Sequence, residues 1–172
     1  MKYVKGNLLD LLDEGKINTI AHQVSTMGVM GRGLAKQIAD RYPQVLKEYK
    51  TLCTSTENTL GFVQVLSNED GKTILNIFSQ ASYGTTKRHT NYAAIATAFA
   101  LYLDTYKTPT IGIPKYFGCG LGGGGWNTVE EIFKDLEHLY DVEFIVVEWD
   151  KNEYKETDPK EAITTEEVKH NV

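Results

Sequence analysis

Apolar positions along this chain recur with two periods, and the alternation between them predicts the secondary structure. Residues 17–24 (INTIAHQV) read as a buried strand, with a shorter strand at 3–4. Residues 34–42 (LAKQIADRY) have helical spacing; Pro43 interrupts it, and a second helix takes over across 45–53. Two strands follow, 61–66 (GFVQVL) and 73–78 (TILNIF), and the polar turn Ser67-Asn68-Glu69-Asp70-Gly71 between them predicts a hairpin. Residues 91–106 form an alanine-rich helix with Tyr92, Ile95, Phe99 and Leu103 on one face, suited to packing on a sheet. After a short buried strand at 110–113, an amphipathic helix spans 126–140, with Thr128 and Glu131 at capping-box spacing, and a last strand covers 142–149 (VEFIVVEW). Strand alternating with helix predicts an α/β fold in three layers, α/β/α, around a mixed, largely parallel central sheet.

The pattern stops at residue 149. From Asp150 onward, four lysines face seven acids and large apolar side chains nearly vanish, so 150–172 is expected to be a flexible acidic tail on a single domain of residues 1–149. A chain of 172 residues with 41% hydrophobic content suits one buried core. No apolar run approaches the ~20 residues that cross a bilayer, and Met1-Lys2-Tyr3-Val4-Lys5-Gly6 lacks the apolar stretch of a secretion signal. A soluble, cytoplasmic monomer is the expectation. Cys53 and Cys119 form no CxxC pair and have no histidine at metal-ligand spacing, which predicts reduced thiols and no metal. The net charge of −5 speaks against a general nucleic-acid binder. It leaves room for a small anion held by backbone N–H groups.

The strongest chemical signal is Gly118-Cys119-Gly120-Leu121-Gly122-Gly123-Gly124-Gly125, lying between a strand and a helix. Four consecutive glycines are entropically costly, and close backbone approach to a phosphate is one use that requires them. A second glycine-rich stretch, Met27-Gly28-Val29-Met30-Gly31-Arg32-Gly33, also follows a strand and precedes a helix. Two such loops at the carboxyl ends of strands would line one crevice. Neither fits GxGxxG, and no Gly-Lys-Ser/Thr phosphate loop is present, which disfavours hydride transfer and ATP hydrolysis.

Around these loops stand several polar residues, each with a bland alternative. His22 lies just before the first loop and is either a proton-transfer group or a hydrogen-bonded core residue. Arg32 can pair with an anion or reach solvent. Asn7 can offer its amide to a base edge or close a local Asx turn. Gln80, Ser82, Tyr83, Lys87, Arg88 and His89 can rim the crevice or form a polar loop.

The segments YVKGNLLD, TIAHQVSTMGVMGRGLAKQIADRYP, ILNIFSQASYG with TNY after it, and IGIPKYFGCGLGGGGW resemble the macrodomain superfamily across residues 1–149. They are most similar to its branch of ADP-ribose-1''-phosphate phosphatases, terminal ADP-ribose glycohydrolases and DNA ADP-ribosyl glycohydrolase antitoxins. The resemblance implies an ADP-ribose-type nucleotide as ligand and no separate cofactor. It sets Asn7, with Leu8, at adenine. Ser25, Met30, Gly31, Arg32 and Gly33 fall to the distal ribose and pyrophosphate, with His22 beside that ribose and Gln80 nearby. Gly118, Cys119, Gly120, Leu121, Gly122, Gly123 and Gly124 match the second phosphate loop, with Phe117 or Trp126 closing that side.

Two departures from the resemblance bear on activity. Deglycosylating members use a lysine shortly after the strand matching 73–78, where this chain has Ser79-Gln80, and an aspartate in the second loop, where it has Gly122. The leading expectation is therefore hydrolysis of ADP-ribose-1''-phosphate, with loop amides binding the diphosphate and His22 assisting proton transfer. The alternatives are a non-catalytic binder of ADP-ribose or an NAD-derived signal, and a glycohydrolase that uses Lys87 or a substrate-assisted water.

Overall fold

The computed structural model describes residues 1–84 and 86–150; the expected tail, from residue 151 on, lies outside them. In chain order the elements are β1 (Lys2–Gly6), α1 (Leu8–Asp13), β2 (Thr19–Ser25), α2 (Gly33–Arg41), α3 (Pro43–Ser55), β3 (Val63–Ser67), β4 (Thr73–Gln80), α4 (Tyr92–Thr105), β5 (Thr110–Pro114), α5 (Trp126–Leu139) and β6 (Glu143–Trp149). They form one six-stranded sheet in the order β1-β6-β5-β2-β4-β3. Every neighbouring pair is parallel except β3 with β4, which make the expected antiparallel hairpin.

Helices cover both faces, so side chains alternating along each strand enter two separate cores. On one face Ala21, Leu75, Ile77, Ile111, Ile113, Phe144 and Val146 meet α4 and α5; on the other, Ile20, Val24, Ile74, Phe78 and Val147 meet α1, α2 and α3. This explains why all eight residues of β4 are buried and why it carries apolar side chains toward both faces. At the centre of the first core the Phe99 ring contacts Phe117, Phe133 and Phe144, with centroids 5.3–5.9 Å away and inclined to edge-on geometry.

Two local expectations need correction. Helix α1 is absent from the periodicity reading because six residues are less than two turns; its signal is instead the Asn7 side chain, which accepts from Leu9 N at 2.9 Å and Asp10 N at 3.2 Å. The Thr128–Glu131 capping box does not form, since α5 begins two residues earlier with Gly125 at its N-cap, and Glu131 pairs with Lys134. Among the described residues, no helix is long and apolar enough to cross a membrane.

One strand junction differs from the others. The β1–β6, β5–β6 and β2–β4 pairs run for five residues or more, whereas β2 and β5 share a single register pair, Ile20 with Gly112. Beyond that point no further register pair joins the two central strands.

Truncating Phe99 to alanine should leave a cavity among three aromatic rings and lower unfolding stability by about 3–5 kcal/mol, read as a shift of the urea midpoint.

Candidate functional site

The junction of β2 and β5 is also where the order of the connections reverses. The connection from β2 leads toward β4 and β3, and that from β5 leads toward β6, so the two strands send their loops to opposite sides. Ligands of open α/β sheets bind at such a switch point, outside the carboxyl ends of the strands. Here it is flanked by both glycine-rich segments: loop 1 (residues 26–32) after β2, and loop 2 (residues 115–125) after β5.

Loop 1 is tied down at its base and exposed at its crest. The Tyr49 hydroxyl, inside the core, donates to Ser25 O at 2.5 Å, while Thr26 N donates to Gln80 O at 2.9 Å and Thr26 Oγ1 to Ala81 O at 2.9 Å. Gly28 has φ +74°, a conformation that favours glycine. Met27 and Val29 are exposed, whereas Met30 points into the core, so Met30 can meet a ligand only through its backbone. The loop ends in α2, whose N-cap, Arg32, makes no side-chain cap and whose first turn holds no acid.

Loop 2 leads into α5 in the same way: Gly125 is its N-cap, with no side chain to offer and no acid in the first turn. By contrast, α1 and α4 are capped by the side chains of Asn7 and Asn91. The two helices that follow the glycine loops thus begin without a side-chain cap on their first N–H groups, as does α3. Inside loop 2, Gly123 N donates to Gly120 O at 3.0 Å and Gly124 N to Gly118 O at 2.9 Å. Among the described residues, the N–H groups of Gly120, Leu121 and Gly122 have no partner in the chain.

The glycines of loop 2 also have an internal reason to be glycine. A Cβ at Gly124 would stand 2.7 Å from Gly118 O, and one at Gly118 would stand 2.8 Å from Gln23 Oε1. At Gly122 it would overlap Thr90 Oγ1 and lie 2.6 Å from Gln23 Nε2. Gly118 and Gly123 have φ of +70° and +71°. Gln23, Ser79 and Thr90 are therefore part of the site's construction, and the sequence reading does not find them. They meet only through folding, since Gln23 and Thr90 are 67 positions apart.

His22 is 2% exposed, on the face of β2 opposite Gln23. Its Nε2 lies 2.6 Å from Asn76 Oδ1, and Asn76 Nδ2 donates to Gln64 Oε1 at 3.0 Å. That second bond orients the amide so that oxygen faces the ring; His22 therefore carries its proton on Nε2 and leaves a bare lone pair on Nδ1, which is buried and unpartnered. Burial drives the imidazole pKa down to about 4, partly offset by the bond to Asn76. At neutral pH His22 is an uncharged hydrogen-bond acceptor, not a proton donor.

Several expected ligand contacts sit elsewhere. Phe117 and Cys119, each 1% exposed, belong to the aromatic core, so neither side chain closes the crevice. Burial pushes the Cys119 thiol up to about 12, so it is no nucleophile. The Leu8 side chain is also core, packed where a Cβ on Gly112 would come within 3.0 Å of it. The Asn7 oxygen is committed to capping α1, which leaves its amide N–H groups, not its oxygen, to meet a base. Beside it stands an aromatic ring the sequence reading passes over: Trp149, register partner of Gly6 and 37% exposed. Trp126 is half-buried against Tyr116 at the far side of loop 2. Lys87 and Arg88 run along loop 2, with Arg88 Cα 3.3 Å from the Cβ position of Gly123 and the Arg88 guanidinium 4.3 Å from the centre of the Tyr92 ring.

Known proteins are similar to this chain in sequence and fold. A DNA ADP-ribosyl glycohydrolase of Mycobacterium tuberculosis is 28% identical over 148 residues, covering 84% of this chain and 41% of that protein. An ADP-ribose 1''-phosphate phosphatase of Candida albicans is 22% identical over 150 residues, covering 81% of this chain and 96% of that one. The solved macrodomain of Mycobacterium tuberculosis DarG superposes with a TM-score of 0.71 at 25% identity, covering 85% of this chain and 95% of that one. The chain has the macrodomain fold and is similar in sequence to proteins named for ADP-ribose chemistry. No protein-family model matches it. This macrodomain spans less than half of the mycobacterial glycohydrolase, and that relative's full activity does not transfer with the shared segment.

The buried imidazole gives the macrodomain a specific acid response. His22 titrates near 6.5 when unfolded and near 4 when folded, so its neutral form is fully accommodated above pH 6.5. As pH falls from there, the unfolded chain takes up the proton first and stability drops. Relative to His22→Gln, the wild type should lose about 2 kcal/mol between pH 7.5 and pH 5, measured by urea unfolding at both values.

Proposed function

We propose that this macrodomain binds an ADP-ribose-type nucleotide across the β2/β5 switch point and hydrolyses ADP-ribose-1''-phosphate to ADP-ribose and phosphate. The observation that carries the reading is the pair of glycine loops, each ending in a helix without a side-chain cap, on opposite sides of one crevice. Backbone donors suit a diphosphate because they supply positive potential without the desolvation cost of a buried cation. Relatives named for ADP-ribose chemistry point to the same ligand class.

The adenine end lies toward Asn7 and Trp149, with the ring of Trp149 as a stacking surface and the Asn7 amide N–H groups as donors to a ring nitrogen. The diphosphate spans the amides of Gly120, Leu121 and Gly122 and the N-terminus of α2. His22 is assigned to the distal-ribose end; its Nδ1 lone pair, buried and unpartnered in the fold, is the acceptor for the attacking water or a ribose hydroxyl once the bound ribose reaches the ring. Water adds to phosphorus, the bond from phosphorus to the C1'' oxygen breaks, and that oxygen takes up the proton released by the water. With a pKa near 4 the imidazole orients the water and does not carry its proton through the reaction. A second reading, a binder without turnover, draws on that same weak basicity.

Incubation with ADP-ribose-1''-phosphate should release inorganic phosphate, and His22→Ala should lower kcat at least about tenfold while ADP-ribose affinity changes little. Because His22 does not titrate near neutrality, wild-type kcat/KM should show no inflection attributable to it between pH 6 and 8. Tight ADP-ribose binding with no phosphate released leaves the binder reading in place of the enzymatic one.

A further inference from the structure

We infer that Thr90 is the positioning residue that pre-forms loop 2 for a diphosphate, with Gln23 and Ser79 holding it in place. The inference rests on the reading of the crevice as a diphosphate site and adds the device that shapes it.

A continuous hydrogen-bond chain runs from the sheet to the loop. Ser79 Oγ donates to Gln23 Oε1 at 2.7 Å; Gln23 Nε2 donates to Gln80 Oε1 at 3.0 Å and to Thr90 Oγ1 at 2.9 Å; Thr90 Oγ1 donates to Gly118 O at 2.6 Å. The backbone adds a second tie on the far limb of the loop, with Thr90 N and His89 N donating to Gly122 O at 3.0 Å and 2.8 Å. Thr90, 2% exposed, thus grips both ends of the segment whose N–H groups are unpaired. Its hydroxyl gives one bond and receives one, and every polar atom of the Gln23 amide is used. A loop of glycines has wide conformational freedom. Fixing its two limbs before the ligand arrives removes an ordering cost from binding.

The same chain accounts for both departures from deglycosylating relatives. At the strand end where those proteins are expected to carry a lysine, Ser79 is fully buried and its hydroxyl serves Gln23. At the loop position where they are expected to carry an aspartate, a Cβ on Gly122 would overlap Thr90 Oγ1 and crowd Gln23 Nε2. A carboxylate at residue 122 and this Gln23–Thr90 contact exclude each other. Both positions thus touch the same network, Ser79 through its bond to Gln23 and Gly122 through the space beside Thr90 and Gln23.

The test compares Thr90→Val, which keeps the shape and removes the hydroxyl, with Thr90→Ser, which keeps the hydroxyl. ADP-ribose affinity is measured by calorimetry, and adenosine affinity by amide shifts around Asn7 and Trp149. Thr90→Val should weaken ADP-ribose at least tenfold and leave adenosine within twofold, and Thr90→Ser should stay within about threefold of wild type for both. If Thr90→Val does not fold, Ser79→Ala decides, with an expected two- to fivefold loss confined to ADP-ribose. Equal ADP-ribose binding by the folded valine variant, or an equal loss for both ligands, overturns the assignment. Failure of the wild type to bind ADP-ribose sinks the diphosphate reading alone; the positioning claim is then judged by hydrogen exchange at His89 N–H, which should accelerate in Thr90→Val and stay slow in Thr90→Ser.

Discussion

The site depends on one constraint in the sheet: β2 and β5 are paired only at Ile20 and Gly112. Gly112 is bare because Leu8 and Ile17 press on its open side, where an added Cβ would stand 3.0–3.1 Å from their methyl groups. Above that contact the register pairing ends, and β2 continues with His22 and Gln23, polar side chains that need partners on buried faces. In this fold each finds partners within its own layer. His22 is met by Asn76 and Gln64, Gln23 by Ser79, Gln80 and Thr90. One break in a ladder thereby creates the crevice, diverts two loops around it and sets a different polar network on each side.

The glycines of the two loops answer to different requirements. In loop 1, Gly28 is set by backbone conformation, and the surrounding chain is anchored from below by Tyr49. In loop 2, Gly118, Gly122 and Gly124 are set by crowding, because side chains and carbonyls of the protein itself already fill the space a Cβ would take. Glycine density in a sequence therefore marks close backbone approach without telling what is approached. Here the neighbours are both the protein's own Thr90 and Gln23 and the ligand assigned to the crevice.

The hairpin, the long helices and both glycine loops are legible in the sequence because each is a local pattern, carried by periodicity or by residues with special backbone freedom. Helix α1 is too short for periodicity to register, although Asn7 announces it. Phe117 beside a glycine loop reads as a lid, yet the turn from Pro114 carries it inward to Phe99 and Phe133. Thr90 and Gln23 leave no trace in either periodicity or composition. Their significance arises only when two parallel strands and a distant loop are brought together, which is the part of a site that a linear reading loses first.

The arrangement around His22 links the margin of the sheet to its middle. Gln64 sits on β3, the edge strand of the sheet among the described residues, yet its amide dictates which way Asn76 faces and, through Asn76, which imidazole nitrogen is bare. An outlying residue with no place in the crevice thus governs the protonation pattern within it. Fraying of the hairpin would let the Asn76 amide rotate and erase that preference, so the rim strand acts as a remote governor of the ring and not merely as a cover for hydrophobic surface.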